Sequence, residues 1–212
     1  AWVDHGLGAD FFLVTAFDEG APALFLVDAV GSGVDIEPLC RVDHTNAAQV
    51  HFTNAPVVSL LGGAHLVTML SDRAALLASA ELLGIAQRAF ELTVNHLKTR
   101  QQFGSPVGSS EALQHRAVRM YMDLELTRSA VYAAAKKVDE SPRDTALLTS
   151  LAKAYSSKTA QVVTNEAIQM HGDIGITDEH NIGLFLKRAR VCISAWGDEA
   201  FHRKRWADLR AY

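Results

Sequence analysis

Apolar residues follow two different periods along this chain, and the change falls near residue 60. Before it, short apolar and β-branched runs at residues 11–17, 23–27 and 50–53 are separated by glycine, proline and asparagine. Runs of this length with turn residues between them are typical of antiparallel strands joined by hairpins. The segment is too short to close a sandwich or a barrel by itself, so we expect a partial antiparallel β domain at residues 1–62.

From about residue 65 onward, apolar residues recur every three or four positions, which is the period of an amphipathic helix. The first predicted stripe comprises Leu76, Ala80, Leu83, Phe90, Val94 and Leu97. The second comprises Leu113, Ala117, Met120, Leu124, Thr127, Val131, Ala134 and Val138. The third comprises Leu148, Leu151, Tyr155, Thr159, Val163, Ala167 and Met170. Ser141 and Pro142 separate the second helix from the third, because proline cannot continue a helix.

Two shorter helices are predicted at residues 182–195 and 199–209. The three long helices, of about thirty residues, would each span about 45 Å. Short loops between long helices favour an up-down arrangement. The predicted fold class is therefore α+β and mostly α, with the partial β domain followed by an up-down four-helix-type bundle at residues 63–212.

Composition and charge argue against several classes of protein. The chain has 212 residues and a formal net charge of −4, so it offers no basic surface for nucleic acid. No run of about 20 apolar residues is present, so no membrane span is predicted. Cys40 and Cys192 are too far apart in sequence for a disulfide framework or a metal pattern, and we expect free thiols in a cytoplasmic protein. His65, His115 and His202 lack a second histidine at helical spacing, so no metal site is predicted.

Two glycine-containing segments follow the ends of long predicted helices. The first is Arg100-Gln101-Gln102-Phe103-Gly104, and the second is Gln169-Met170-His171-Gly172-Asp173-Ile174-Gly175. An arginine beside a glycine turn suits a chain end that holds a phosphate group, because the guanidinium fork matches two phosphate oxygens. The alternatives are a solvated Arg100 near a helix C-terminus and an ordinary glycine cap at Gly172.

These two segments resemble those of the acyl-CoA dehydrogenase family, as do residues 81–89, 105–108 and 176–189. The likeness extends over nearly the whole chain, and its motifs are specific in this order although each alone is weak. It implies the second half of the family's middle β domain followed by its C-terminal helical domain. The ending around Glu179 and His180 most resembles the actinobacterial branch that acts on steroid and other bulky acyl-CoA thioesters.

The resemblance implies an FAD enzyme that oxidises an acyl-CoA at its α and β carbons, with a carboxylate removing the α proton. The residues that it implies as FAD contacts are Arg100, Gln102, Phe103, Gln169, Gly172 and Asp173. In the family the glutamine–glycine segment approaches the FAD of a neighbouring subunit, so an oligomer is implied as well. Arg73 is a further candidate, for contacting a phosphate of coenzyme A.

The chain departs from the family pattern at three positions. Asp173 stands where the family has a second glycine, which brings a carboxylate close to a pyrophosphate. Glu111 stands where the pattern has a glutamine. Trp196 stands at the catalytic glutamate of the Glu-Gly-Thr segment that many members carry, and tryptophan cannot abstract a proton.

Other members of the family place the base near the start of the first long helix, where this chain has Ala74. Asp72 and Glu81 are the nearby carboxylates and are therefore the candidate bases. The alternatives are a helix N-terminal acid for Asp72 and a solvated or interhelical glutamate for Glu81.

The family's helical N-terminal domain and the first half of its sheet domain have no counterpart in this sequence. We therefore expect either a fragment of a longer protein or a subunit whose site is completed by another chain. The favoured hypothesis is a flavoprotein subunit of a homo- or hetero-oligomer, tetrameric with a related subunit, in which FAD lies at an interface and a partner supplies the base. The alternative is a non-catalytic structural partner that binds no flavin.

Overall fold

The computed structural model describes residues 1–211, apart from the side chains of residues 142 and 143. The chain divides into two compact units, with the boundary between Ser71 and Asp72. In the part of the chain that is described, no helix is long and apolar enough to cross a membrane. The predicted α+β class, mostly α, is confirmed.

The first unit contains two antiparallel sheets of three strands each. The strands are β1 (Trp2–Asp4), β2 (Phe11–Asp18), β3 (Ala21–Asp28), β4 (Val34–Pro38), β5 (Ala47–Phe52) and β6 (Val57–Gly63). One sheet has the order β2-β3-β6 and the other has the order β1-β5-β4. The β2–β3 hairpin turns at Glu19 and Gly20, whose φ angles of 48° and 86° are those of a type I′ turn.

One apolar cluster of the first unit is small and consists of Phe12, Ala29, Ala48 and Val50 with a few partly buried neighbours. Phe12 meets Phe52 edge to face, with the ring centroids 5.8 Å apart. On β2, Phe11 and Phe17 are exposed. This sheet therefore presents apolar side chains to solvent, as expected for a partial β domain.

The second unit is built from helices. The helices of the chain are α1 (Ala64–Thr99), α2 (Glu111–Lys137), α3 (Pro142–His171), α4 (Ile182–Ser194) and α5 (Glu199–Arg210). A two-stranded hairpin of β7 (Gln101–Gln102) and β8 (Ser105–Pro106) follows α1. Helix α3 packs against α2, α4 and α5, and one apolar cluster joins side chains of α1, α2, α3 and α4. The predicted bundle is thus confirmed.

Local sequence explains where the helices begin and end. The Ser141 hydroxyl accepts a hydrogen bond from the Asp144 amide at the start of α3 (3.4 Å), and proline occupies the first helical position, where its missing N–H costs nothing. Helix α3 ends at Gly172, which has a φ of 66°. Asp198 caps α5 by accepting from the Phe201 amide at 2.8 Å.

Two positions of the predicted apolar stripes lie outside the core. Ala80 and Tyr155 are exposed. In α1 the buried face also includes Leu82, Ala86 and Ala89, which the predicted stripe did not contain. In α3 a lysine near Tyr155, Lys153, is completely buried, which the apolar pattern did not predict.

Candidate functional site

The segment after α1 forms a tight hairpin that presents an aromatic ring. Gln102 pairs with Ser105, and the two residues between them, Phe103 and Gly104, have φ angles of 53° and 80°. Two successive positive φ angles make a type I′ turn, which is uncommon for phenylalanine. The Phe103 side chain is fully exposed, so the turn holds the ring out toward solvent and not into a core.

Arg100 lies at the base of this hairpin. Its amide donates to the His96 carbonyl at 2.8 Å, and its own carbonyl accepts from the Val107 amide at 2.9 Å, which closes the loop. The side chains of Arg100 and Gln102 are exposed, and within residues 1–211 the guanidinium forms no ion pair. A cation that is fixed at its backbone and open at its head is available to an anionic ligand.

Gly108 allows the loop to fold back on α1. A Cβ at this position would lie 2.7 Å from the Leu97 carbonyl oxygen, which is closer than real contacts allow. The glycine is therefore required for close packing of the loop against the helix end.

The second glycine segment follows α3. Gly172 has φ 66° and ψ −143°, and a Cβ at this position would meet nothing within 4 Å. A Cβ on Gly175 would lie 2.5 Å from the Ile168 carbonyl oxygen, so this glycine is needed for packing. Asp173 does not have a positive φ, and its side chain is exposed like that of Gln169. The backbone therefore accepts an aspartate at this position without strain.

A column of three histidines joins the ends of α1 and α3. The ring centroids of His96 and His171 are 4.4 Å apart, and those of His171 and His180 are 4.6 Å apart. His171 is 5% exposed, and its Nδ1 donates to the Ala167 carbonyl at 2.7 Å. Its Nε2 is buried without a hydrogen-bond partner among the described residues. Sequence reasoning missed this histidine column, because its members come from three separate segments and share no helical spacing.

Burial disfavours the charged form of two rings of the histidine column, those of His96 and His171. Burial lowers the pKa of His171, the Ala167 carbonyl opposes that shift, and His180 adds to it. Burial also lowers the pKa of His96, and His171, His180 and Arg100 lower it further. Neutral imidazoles can pack face to face without charge repulsion. The column therefore places the Arg100 hairpin and the Gly172 segment at the same end of the bundle.

The candidate bases Asp72 and Glu81 lie within α1, more than two turns from its start at Ala64, and both form ion pairs. Asp72 is 3% exposed, and its carboxylate accepts a hydrogen bond from Arg205. Glu81 accepts from Arg188 at 2.6 Å. In both cases an arginine of the same chain occupies the carboxylate. Their roles as bases stay predictions.

Arg73 and Glu111 also have partners within the chain. The Arg73 guanidinium donates to the Asp139 carboxylate at 2.5 Å, and both side chains are largely exposed. Glu111 is the first residue of α2, where its charge favours the helix dipole, and it lies 3.7 Å from His115. The role of Arg73 toward coenzyme A stays a prediction.

Trp196 occupies a strained turn between α4 and α5. It has a φ of 58°, Gly197 follows with a φ of 95°, and the indole ring is 52% exposed. The carboxylate of Asp198 is used to cap α5. This turn therefore offers no open carboxylate at or beside position 196.

A bundle in which α1 and α3 end in these two glycine segments corresponds to a known domain. The family model described as acyl-CoA dehydrogenase, C-terminal domain, matches residues 62–208. The chain therefore belongs to the acyl-CoA dehydrogenase family.

Its relatives confirm the predicted resemblance to the actinobacterial branch. The acyl-CoA dehydrogenase IpdE2 of Mycolicibacterium smegmatis is 42% identical over 120 residues, which is 57% of this chain and 37% of that protein. The ChsE4–ChsE5 complex from Mycobacterium tuberculosis superposes with a TM-score of 0.93 at 26% identity, covering 98% of this chain and 57% of the other. The Tcur3481–Tcur3483 steroid ACAD variant gives 0.90 at 27% identity, covering 96% of this chain and 56% of the other. The chain thus spans from about a third to somewhat over half of the length of these relatives.

Proposed function

We propose that this chain is the C-terminal part or subunit of an enzyme that dehydrogenates an acyl-CoA thioester at its α and β carbons, with FAD bound at a subunit interface. One observation carries the proposal: the histidine column brings together the Arg100 hairpin and the Gly172 segment, both open to solvent. The unpaired Arg100 cation suits an anionic nucleotide, and the open backbone at Gly172 lets such a ligand come close.

The residues present fit FAD. The Arg100 guanidinium is exposed and outside any ion pair of the described chain, so it can donate two parallel hydrogen bonds to pyrophosphate oxygens. The space around Gly172 is open, so a ligand can approach the backbone there. The exposed ring of Phe103 offers a flat face to the nucleotide, and Gln102 and Gln169 offer amide groups beside it. When bound, FAD supplies the acceptor for the hydride that leaves the β carbon.

Asp173 opposes this binding. Its carboxylate would lie near the pyrophosphate and repel it. Because the side chain is exposed, it can turn toward water, where solvent and salt screen the charge. The segment therefore binds FAD less tightly than a segment with a second glycine would.

We assign the catalytic base to a partner chain. Asp72 and Glu81 are occupied by arginines of their own chain, and position 196 holds a tryptophan. Arg73 remains the candidate for a coenzyme A phosphate, since an exposed ion pair such as that with Asp139 is weak enough to exchange partners. The ChsE4–ChsE5 structure is that of a complex of two named chains, which supports assembly with a related subunit, and the assembly is proposed to be tetrameric.

The acyl group is proposed to be bulky and of the steroid type, and the protein to be cytoplasmic. The proposal of a steroid-type acyl group is supported by the solved structure of a steroid ACAD with the same fold. The proposal of a cytoplasmic location is supported by Cys40 and Cys192, which are both free thiols.

A second candidate function is favoured by the same occupied carboxylates. A chain whose two candidate bases are held in ion pairs, and which has Asp173 in its glycine segment, would also serve as a structural partner that binds no flavin. The two candidates differ in one property, which is the presence of FAD contacts from this chain.

Replacing Arg100 with alanine tests the proposal. We expect Arg100→Ala to lower the amount of bound FAD, read as absorbance at about 450 nm, because two charge-assisted hydrogen bonds are lost. The bundle should stay folded by circular dichroism, since the side chain is exposed. Arg119→Ala is the matched control, because Arg119 is an exposed arginine on α2. Unchanged flavin content in Arg100→Ala would remove Arg100 from the site, and a wild-type assembly without flavin absorbance would favour the structural partner.

A further inference from the structure

Lys153 lies in the middle of α3, and its side chain is completely buried (0% exposed). Its Nζ donates to Ser157 Oγ at 3.2 Å, to the Ile193 carbonyl at 3.0 Å and to the Gly197 carbonyl at 2.8 Å. These bonds use all three donors of an ammonium group. Two of the acceptors belong to the C-terminal end of α4 and the turn after it, where carbonyls lack helical partners and a cation is favourable.

The turn that receives these bonds comprises residues 195–198, and we refer to it as the Trp196 turn. The Trp196 carbonyl accepts from His202 Nε2 at 2.8 Å. The Gly197 carbonyl accepts from Lys153, and the Asp198 carboxylate caps α5. A separate hydrogen bond therefore holds each of the three residues Trp196, Gly197 and Asp198.

The Trp196 turn is strained and closely packed. A Cβ on Gly197 would lie 2.6 Å from Phe201 Cδ1 and 2.9 Å from His202 Nε2. Trp196 itself has a φ of 58°, a conformation that is costly for a bulky residue. Such strain persists only where the surroundings enforce it, and it is concentrated at ligand sites. In this protein the strained turn carries the half-exposed ring of Trp196.

The surroundings of Lys153 are polar on several sides. Cys192 of α4, Asp198 of the turn and His202 of α5 all lie close enough to influence its charge or to be influenced by it. Behind His202 lies the ion pair of Asp72 and Arg205. Apolar residues of similar volume often stabilise a core as well as buried charges do. Stability alone therefore does not account for a buried lysine here, whereas fixed geometry of the turn does.

We propose that Lys153 is a positioning residue that fixes the Trp196 turn, so that the Trp196 ring forms a flat contact for the acyl group of a thioester ligand. The identity of the ligand rests on the proposed function, and the anchoring of the turn rests on the structure alone. The indole ring suits an apolar acyl group, because it offers a large uncharged face.

The anchoring can be observed directly at Trp196. The chain is labelled with 5-fluorotryptophan in its native assembly. The fluorine resonances of Trp196 and Trp206 are assigned by their absence in Trp196→Phe and Trp206→Phe. We expect Lys153→Met to displace or broaden this resonance while that of Trp206 stays unchanged. Lys158→Met is the matched control, because Lys158 is an exposed lysine of the same helix. It should leave both resonances in place.

Ligand contact is tested with cyclohexanecarbonyl-CoA, with free coenzyme A as the comparison. The wild-type Trp196 resonance should shift with the acyl-CoA and not with coenzyme A. Lys153→Met should weaken acyl-CoA binding by about tenfold or more, as expected when an aromatic anchor is displaced. Bound FAD should be unchanged in Lys153→Met, because the proposed FAD contacts are other residues.

Trp196→Gly gives a second test that does not depend on Lys153→Met folding. Glycine adopts a positive φ without strain, so the urea midpoint of unfolding should be equal or higher. Acyl-CoA affinity should fall by about tenfold or more. If Trp196 had only a structural role, Trp196→Gly would not lower the acyl-CoA affinity while leaving the urea midpoint equal or higher.

The outcomes distinguish this proposal from the proposed function. An unchanged Trp196 resonance in Lys153→Met would overturn the positioning role even if acyl-CoA binds. Wild-type affinity in Trp196→Gly would overturn the acyl contact. If the FAD-loaded wild-type assembly binds no acyl-CoA, the ligand assignment fails together with the proposed function, and a displaced resonance in Lys153→Met would still support the anchoring.

Discussion

At Lys153, folding removes a charged amine from water and surrounds it with backbone carbonyls. Burial lowers its pKa from the ordinary 10.5 to about 8, while Cys192 and Asp198 act in the opposite direction. The group is therefore still charged at neutral pH, although its charge is much less favourable than in the unfolded chain. Its three hydrogen bonds offset part of that cost.

This shift predicts a pH dependence of stability. The unfolded chain keeps the Lys153 proton up to pH 10.5, whereas the folded protein releases it at about 8. Between these values the unfolded state binds more protons, so rising pH favours the folded state, by up to about 3 kcal/mol from this group. Urea unfolding at about pH 7.5 and about pH 10 measures the change. Over this pH range the free energy of unfolding should rise less in Lys153→Met than in the wild type, because the contribution of Lys153 is missing. An equal rise in both proteins would contradict a pKa of Lys153 that is lowered by burial.

The burial of Lys153 could not be predicted from the sequence. A lysine beside an apolar stripe usually extends its stem along the surface and keeps its charge in water. The groups that keep Lys153 inside are the carbonyls of Ile193 and Gly197, which are backbone atoms some forty residues further along the chain. The roles of Asp72 and Glu81 were obscured in the same way, because their arginine partners are more than one hundred residues away in sequence.

At the scale of elements, the ends of the helices matter more than their lengths. The histidine column lies where α1 and α3 end, directly before the Arg100 hairpin and the Gly172 segment. Protonation of His96 and His171 would place like charges 4.4 Å apart beside Arg100. Acid should therefore weaken the contact between the two helix ends.

We expect the free energy of unfolding to decrease as pH falls below about 6.5. The folded pKa values of His96 and His171 are lowered, so the unfolded chain takes up protons first and acid favours it. Chemical denaturation of wild type and His171→Phe between about pH 7.5 and about pH 5 measures this loss. His171→Phe should lose less stability over the range. His115→Phe, which changes an exposed histidine of α2, should follow the wild type. If His171→Phe loses as much free energy of unfolding as the wild type between these pH values, the proposed role of the histidine column is contradicted.

The helices were predictable and part of the sheet was not. The stripes at residues 113–138 and 148–170 follow the helical period over many turns, and the observed helices α2 and α3 contain nearly all of them. β4 was missed because it is a short strand with acidic residues at alternate positions. β6 was missed because its apolar run ends in two glycines and leads directly into α1. Pairing with β3 and β5, which lie elsewhere in the sequence, makes these segments strands.

At the scale of the whole molecule, this family member covers between about a third and somewhat over half of the length of the relatives described above. It contributes a Trp196 turn without an open carboxylate, and its candidate bases lie within ion pairs. Under the proposed function, the chain supplies FAD and acyl contacts while another chain supplies the proton acceptor. The two roles then meet only in the assembled oligomer.

This chain is proposed to contribute FAD contacts within an oligomer, and native mass spectrometry of the purified assembly is the decisive experiment. We expect an oligomer that contains this chain, a related partner chain and bound FAD, with less FAD when Arg100 is replaced by alanine. An assembly of the same chains that carries no FAD, or FAD occupancy that is unaffected by Arg100→Ala, would contradict this proposal.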